Sequence, residues 1–328
     1  MFILRRSLVS LISFITITAL VTHVQAQDTD YQQTKTLFAP LPARALCVTN
    51  PLTDEKIALG KKLYSEKRLS LAKDISCNSC HGLSTFGVDN RRASEGDKKQ
   101  LGGRNSPSVY NAALHFVQFW DGRAKDVEEQ ALGPIQNPVE MAMPKGGAEV
   151  VARLRLDPSY ATAFEKAFPA EKEPITFENV GKAIGAFERT LITPSRFDDY
   201  LNGNRTALTP AELKGLQTFK QVSCTACHNG VTIGGQMYQK IGLVKPYETK
   251  DLGRYEVTKN EADKYLFKVP SLRNIEKTAP YFHDGSVATL DQAITLMGKH
   301  QLGKDLSSQE VQQIATFLKS LTGKLPVE

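Results

Sequence analysis

The chain has 328 residues, 41% of them hydrophobic and 23% charged, which is the composition of an ordinary folded protein of about two domains. Its formal net charge is +6, and the sequence contains no run of basic residues. Charge therefore gives no support for binding to nucleic acid.

The N-terminus has the pattern of an export signal. Arg5 and Arg6 precede a mostly apolar stretch over 7–21, and Val24-Gln25-Ala26 ends the pattern with a small residue. This pattern predicts a signal peptide over residues 1–26 and delivery to the periplasm. An uncleaved membrane anchor is the alternative, but the apolar stretch is short for a bilayer span.

Helices are predicted where a capping residue precedes apolar side chains at helical spacing. Such helices begin after Thr53, Thr176, Thr209 and Ser307, and Gly323 is expected to end the last one. A further apolar helix leads to Met297. The predicted apolar faces contain Ile57, Leu59, Leu63, Tyr64; Val180, Ile184, Phe187, Leu191; Leu213, Leu216, Phe219; Leu290, Ala293, Ile294; and Val311, Ile314, Phe317, Leu318, Leu321. Residues 27–50 have the pattern of an irregular leader, and no stretch alternates as a strand would.

Two pentapeptides, Cys77-Asn78-Ser79-Cys80-His81 and Cys224-Thr225-Ala226-Cys227-His228, share one pattern. In Cys-x-x-Cys-His the two thiols bind a haem covalently and the histidine is an axial iron ligand. A single copy is compatible with a redox dithiol, but two copies predict two haem c groups. The fifth cysteine, Cys47, is predicted to be a buried or unreactive thiol, with a redox or intermolecular role as the alternative.

Each motif follows a predicted helix, which indicates two cytochrome c-like haem domains in a mostly α fold with long loops. The predicted boundary at Pro194 divides the mature chain into residues 27–194 and 195–328. A C-terminal helix that packs back on the first domain is compatible with this division.

A second iron ligand is needed for electron transfer without a change of geometry, and methionine raises the potential. The candidates are Met141, Met143, Met237, Met297, His115, His283 and His300. Met297 follows an apolar helix well downstream of His228 and suits the second haem. Met237 is so close to His228 that the chain would have to turn back sharply.

The region after the first motif holds the residues that suit peroxide chemistry. Glu140 lies between Pro138 and Pro144 among apolar neighbours, where desolvation would raise its pKa and suit it to proton transfer. Gln130 is placed to orient a peroxide. Solvation is the simpler interpretation of Glu140, and core packing that of Trp120.

Together these segments resemble the bacterial dihaem cytochrome c peroxidases over nearly the whole mature chain. The resemblance is carried by the two haem motifs and by Phe119–Ala124, Glu128–Ala131, Gly133–Ile135, Asn137–Met141, Val269–Asn274 and Ala279–Gly285. It implies a peroxidatic N-terminal haem and a high-potential C-terminal haem with Met297 as its second ligand.

The resemblance also assigns individual residues. It implies that Glu140 and Gln130 are the peroxide-site carboxylate and amide, and that Trp120 lies between the haems and carries electrons. Positions matching a structural calcium site are Asn105, Thr278 and Pro280. A homodimer is implied as well.

One departure from the family concerns the loop after the first haem motif. Well-known members have a histidine there that ligates the peroxidatic iron until the other haem is reduced. The segment 90–104 contains no histidine, and Asp97 stands at the expected position. We therefore expect a first haem that is open in the oxidised state; Lys98, Lys99 and His115 are the alternative ligands.

The predicted enzyme reduces hydrogen peroxide to water with electrons from a small c-type cytochrome or a cupredoxin. One alternative is a dihaem enzyme that oxidises side chains of a partner protein. By the resemblance, those enzymes have a tyrosine at the position of Met297, so the methionine argues against this alternative. The other is a dihaem electron carrier or redox sensor.

Overall fold

The computed structural model describes residues 28–326, and the predicted signal peptide lies outside them. The chain is mostly helical, as predicted, with long connecting loops. Its α-helices are α1 (28–37), α2 (Asp54–Tyr64), α3 (Cys77–Cys80), α4 (Val127–Gln136), α5 (Ala148–Arg155), α6 (Pro158–Ala167), α7 (Phe177–Glu188), α8 (Arg196–Leu201), α9 (Pro210–Gln221), α10 (Tyr255–Thr258), α11 (Leu290–Gln301) and α12 (Ser308–Lys319). Among them, none is long and apolar enough to cross a membrane.

Short 3₁₀ turns and one strand pair complete the secondary structure. The 3₁₀ turns are Lys67–Leu69, Leu83–Thr85, Asp97–Lys99, Ala112–Leu114, Cys224–Ala226, Glu261–Asp263 and Ile275–Lys277. Strands β1 (Tyr238–Lys240) and β2 (Leu266–Lys268) pair antiparallel, with Gln239 opposite Phe267. The expectation of no strand was therefore wrong for these two segments, which are too short to show alternation.

The predicted helix starts are confirmed. The hydroxyls of Thr53, Thr176, Thr209 and Ser307 each accept a hydrogen bond from a backbone N–H in the first turn of α2, α7, α9 and α12. Such a bond satisfies one of the N–H groups that a helix leaves without an internal partner.

Two boundary predictions were wrong. Residues 28–37 form a helix rather than an irregular leader, and Tyr31 and Phe38 are buried against the second half of the chain. The last helix ends at Lys319, before Gly323, because the chain there turns to pass over Thr193: a Cβ on Gly323 would lie 2.0 Å from the carbonyl oxygen of Thr193.

A first hydrophobic cluster joins residues between Leu59 and Leu191. Helix α7 is at its centre and packs on both α2 and α4. The contact with α2 is close at Gly60, where a Cβ would lie 1.9 Å from the carbonyl oxygen of Ala183. This packing fixes the helix that leads to the first haem motif.

A second cluster joins the α1 region to residues between Phe197 and Leu321. Helix α9 packs on α12, and a Cβ on Gly215 would lie 2.1 Å from the carbonyl oxygen of Gln313. Helix α12 packs within this cluster, and the residues that follow it return to the first half, where Leu325 packs on the first cluster.

The predicted domain boundary falls at a buried crossing. Thr193 is fully buried, and its hydroxyl accepts hydrogen bonds from the side-chain amides of Asn111 at 2.8 Å and Asn274 at 2.9 Å. Asn111 also accepts from the Thr193 N–H at 3.0 Å. One asparagine comes from each half of the chain, so the crossing is tied on both sides.

Candidate active site and electron-transfer site

The first haem motif forms a single helical turn. In α3, the Ser79 hydroxyl accepts from the Ser76 N–H at 3.0 Å, which closes the start of the turn. Cys77 and Cys80 lie one turn apart and are free thiols. They therefore face one region of space, as two covalent attachments to one group require.

His81 is held by the backbone around it. Its Nδ1 lies 2.9 Å from the carbonyl oxygen of Pro107 and 3.3 Å from that of Gly87, and its own carbonyl accepts from Tyr64 Oη at 2.7 Å. An imidazole that donates Nδ1–H to a carbonyl has its Nε2 lone pair free for a metal. Burial lowers the pKa of His81, which keeps the ring neutral as a ligand must be.

A cavity of about 350 Å³ opens beside this motif. Cys77, Cys80 and His81 lie on its wall together with Gln130 and Glu140, so the structure brings the predicted peroxide-site residues to the first haem motif. Met141 also lines the cavity, but only 3% of it is exposed and it packs in the first hydrophobic cluster.

The Glu140 carboxyl is positioned by the turn that follows α4. Its N–H donates to the Asn137 carbonyl at 3.0 Å, and Asn137 Nδ2 donates back to Glu140 Oε1 at 2.6 Å. Burial raises the pKa of Glu140, and the positive charge of Arg123 together with the Asn137 hydrogen bond opposes that rise. The carboxyl is thus partly desolvated, which favours the pocket interpretation of the sequence over the simpler one of a solvated side chain.

The loop that carries Asp97 packs against the Glu140 segment. The Asp97 N–H donates to the Glu140 carbonyl at 2.7 Å, and a Cβ on Gly96 would lie 2.0 Å from the Val139 oxygen. Asp97 is 6% exposed and does not line the cavity. Of the three alternative iron ligands, Lys98 and Lys99 do not line it either, whereas His115 does.

The second motif follows α9 directly. Ser223 turns the chain with φ = 78°, and Cys224 begins a 3₁₀ turn. His228 Nδ1 lies 3.3 Å from the carbonyl oxygen of Ile233, and burial lowers the pKa of His228 to about 4. Its Nε2 is therefore also left for a metal.

A second cavity, of about 230 Å³, is lined by Cys224, Cys227 and His228. Met297 on α11 lies on the same wall, whereas Met237 lines neither cavity. His283 also lines the second cavity; its Nε2 lies 3.1 Å from Thr249 Oγ1 and its ring stacks on Phe267. The structure thus brings Met297, and not Met237, to the second motif.

Trp120 lines both cavities. Its indole Nε1–H donates to the Asn105 carbonyl at 2.9 Å, and its ring lies edge-on to His283 with centroids 6.4 Å apart. The side chain is therefore fixed in the wall that separates the two haem motifs.

The predicted calcium ligands line the second cavity together. Asn105 Nδ2 donates to the Arg91 carbonyl at 2.9 Å, which leaves Oδ1 free. Within residues 28–326 no backbone N–H donates to the carbonyl oxygens of Thr278 and Pro280. Calcium takes oxygen ligands, so this donor set fits the ion. No cluster of three acidic, histidine or cysteine side chains occurs in the same range.

The residues around both motifs fit covalent haem. Burial raises the pKa of Cys77 and of Cys224 to about 12, so both are neutral thiols rather than thiolates. Each motif has a cavity beside two free thiols and a neutral imidazole with a fixed ring.

Comparisons with known proteins agree with this geometry. The family model described as "Di-haem cytochrome c peroxidase" matches residues 54–206. The chain is 49% identical over 289 residues to cytochrome c551 peroxidase of Nitrosomonas europaea, covering 87% of this chain and 85% of that one.

The chain belongs to the di-haem cytochrome c peroxidase family. It is also 45% identical over 307 residues to cytochrome c551 peroxidase of Pseudomonas aeruginosa, covering 91% of this chain and 88% of that one. A crystal structure of a MauG-like protein associated with microbial copper homeostasis matches with a TM-score of 0.79 at 33% identity, over 87% of this chain and 94% of that one. These relatives confirm the predicted haem peroxidase with two haem c groups.

Three side chains at the cavities of this di-haem peroxidase were not assigned a role from the sequence. Arg123 lines the first cavity near Glu140, and the side-chain amide of Asn137 holds the Glu140 carboxyl. Lys268 is buried between the cavities. The Arg and Asn lie within segments that the sequence already marked, but Lys268 carries no local signal.

The apolar residues beside Cys47 in the sequence suggest a buried thiol, but these residues are exposed in the structure. Cys47 is half-buried, and the flanking Leu46 and Val48 are 84% and 96% exposed. Its Sγ lies 3.3 Å from Thr49 Oγ1.

Proposed function

We propose that this di-haem peroxidase reduces hydrogen peroxide in the periplasm with electrons from a small c-type cytochrome or a cupredoxin. One peroxide, two electrons and two protons give two waters. The supporting observation is the asymmetry of the two cavities: Glu140 and Gln130 line only the first, whereas Met297 lines only the second. The first is therefore the peroxide site and the second the point of electron entry.

Bound haem supplies the storage of electrons and the cleavage of the O–O bond. Glu140 accepts the proton from one peroxide oxygen and delivers it to the other, which then leaves as water. Gln130, on the same cavity wall, orients the peroxide by hydrogen bonding. Burial of Glu140 raises its pKa and so brings it nearer to the pH at which it both takes and gives a proton.

Trp120 provides the path for electrons between the two sites. It lines both cavities, and its hydrogen bond to the Asn105 carbonyl fixes the indole. Met297, on the wall of the second cavity, would be the second ligand of the entry haem. A methionine in that role would keep the geometry constant between redox states and raise the potential.

Activity without prior reduction is part of the proposal. The segment 90–104 has no histidine, and Asp97 is held by the Glu140 carbonyl outside the cavity. This segment therefore supplies no imidazole to the first iron in the oxidised protein.

The resting state is testable by electron paramagnetic resonance of the fully oxidised protein. We expect one high-spin signal from the first haem and one low-spin signal from the second. Two low-spin signals, each with protein ligands, would show that the first site is closed at rest.

Calcium binding by Asn105, Thr278 and Pro280 and a homodimeric assembly complete the proposal. The free oxygens of these three residues at the second cavity support the calcium site. Equilibration with a chelator, followed by metal analysis, tests it.

The proposed reaction is tested with Glu140→Gln, measured as peroxide-dependent oxidation of reduced cytochrome c. Loss of the proton acceptor is expected to lower kcat by about 10²–10⁴-fold. Glu149→Gln is the control, because Glu149 is an exposed partner of Arg153 on α5. Normal turnover in Glu140→Gln would remove that residue from the mechanism, and no turnover in the wild type would favour a carrier or a partner-oxidising enzyme.

A further inference from the structure

The wall between the two cavities contains a buried positive charge. The residues that line both cavities are Asn105, Ser106, Pro107, Ser108, His115, Trp120 and Lys268. Of these, Lys268 alone has an ammonium group, and it is only 4% exposed. A charge taken out of water without a counter-charge is strongly destabilising.

No carboxylate in the described part of the chain offsets this charge. Burial alone lowers the pKa of Lys268 to about 8, and no charged neighbour adds to the effect. The one polar partner of its Nζ is His115 Nδ1, at 3.0 Å. An imidazole nitrogen that accepts from an ammonium is unprotonated, so the proton of the neutral ring is on Nε2.

His115 Nε2 is therefore a second donor without a partner. It is a buried nitrogen with no hydrogen-bond acceptor among residues 28–326. The ring is held in place, since a Cβ on Gly235 would lie 2.4 Å from His115 Cδ2. A buried ammonium and a buried N–H next to each other match the chemistry of a carboxylate.

We propose that Lys268 and His115 form a binding site for a haem propionate in the wall between the two haems. Each haem brings two propionate carboxylates. A carboxylate is the hydrogen-bond acceptor and counter-charge that the Lys268–His115 pair lacks. Lys268 supplies the counter-charge and one hydrogen bond, and His115 Nε2 supplies another. Both are positioning residues that set the electrostatic potential at the haem.

The test is the midpoint potential of each haem, measured by spectroelectrochemical titration of the holoprotein. Lys268→Met removes a positive charge near a haem, which favours the oxidised iron, so the potential of the haem whose propionate is bound should fall. Lys268→Arg should restore it, and His115→Phe should lower it less than Lys268→Met. Lys264→Met is the matched control, because Lys264 is a half-buried lysine that already has a counter-charge in Glu261.

Potentials in Lys268→Met and His115→Phe equal to those of the control would overturn the proposal and leave a water as the partner of this pair. If Lys268→Met does not incorporate haem, His115→Phe decides: a lowered potential supports the site and an unchanged one overturns it. The inference depends on the two haems and not on the reaction. Peroxidase activity, measured in parallel, tests the proposed function separately.

Discussion

At the scale of single residues, Glu140 combines a desolvated carboxyl with a cation nearby. Burial is the largest influence and raises its pKa, while Arg123 acts in the opposite direction. Arg123 is itself fixed, because its guanidinium lies 3.4 Å from the Phe119 ring centroid and bonds to Asp121 at 3.0 Å. The balance of the two effects sets the pH at which Glu140 becomes a base.

Arg123→Met is expected to move the acid limb of the pH profile of kcat/KM for peroxide to higher pH. Removing the cation raises the pKa of Glu140 further, so the carboxyl stays protonated, and unable to accept a proton, over a wider range. Arg123→Lys keeps the charge and should keep the limb near its wild-type position. An unmoved limb in Arg123→Met would mean that another group governs it.

At the scale of elements, the two helices that lead to the haem motifs are packed in the same way. Helix α2 contacts α7 at Gly60, and α9 contacts α12 at Gly215. At both crossings the backbone of one helix occupies the space of a missing Cβ. The haem motifs are therefore positioned by close helix pairs, one in each half.

Gly60→Ala and Gly215→Ala are expected to destabilise the holoprotein by about 1–3 kcal/mol each, because overpacking separates the helices. This loss exceeds the gain in helix propensity of up to about 1 kcal/mol. Urea unfolding measures the effect, with Lys61→Ala on the exposed face of α2 as the control. An unchanged midpoint in both glycine variants would contradict the close packing.

The sequence predicted the helix starts that depend on interactions within one turn. The capping hydroxyls of Thr53 and Ser307 act within one turn, and both were found in the sequence. Helix α6 had an available signal in Asp157, whose carboxylate caps it before Pro158, and this signal was overlooked. Strand β2 forms only by pairing with β1, so a three-residue segment gives no pattern of its own.

The same distinction applies to the site. The two Cys-x-x-Cys-His motifs and the segment around Glu140 are contiguous, so residue type and spacing were enough to mark them as candidates. The Lys268–His115 contact joins residues that are 153 positions apart. No single stretch encodes it, and Lys268 in the sequence is indistinguishable from a surface lysine.

At the scale of the whole molecule, the two halves meet at Thr193. A domain boundary usually lies in an exposed linker. Here the hydroxyl of a fully buried residue satisfies both Asn111 and Asn274. Arg104 adds a bridge between the halves by bonding to Asp121 at 2.5 Å and to Asp251 at 2.6 Å.

Thr193→Val is expected to lower the free energy of unfolding by about 2–6 kcal/mol, because two buried amides lose their acceptor at about 1–3 kcal/mol each. The change preserves shape, so the loss reports hydrogen bonding. Thr190→Val is the matched control, since the Thr190 hydroxyl donates to the nearby Phe187 carbonyl and has no other partner among residues 28–326. Equal denaturant midpoints for the two variants would show that the tie contributes nothing.

The chain passes between the two halves at Thr193, whose hydroxyl accepts hydrogen bonds from both of them. A segment bound in this way is a poor hinge. The hydrogen bonds of Thr193 to both halves oppose a change in the distance between the two cavities. The electron path that we propose through Trp120 would then keep its length, and the difference between the two haem potentials would set how fast electrons cross it.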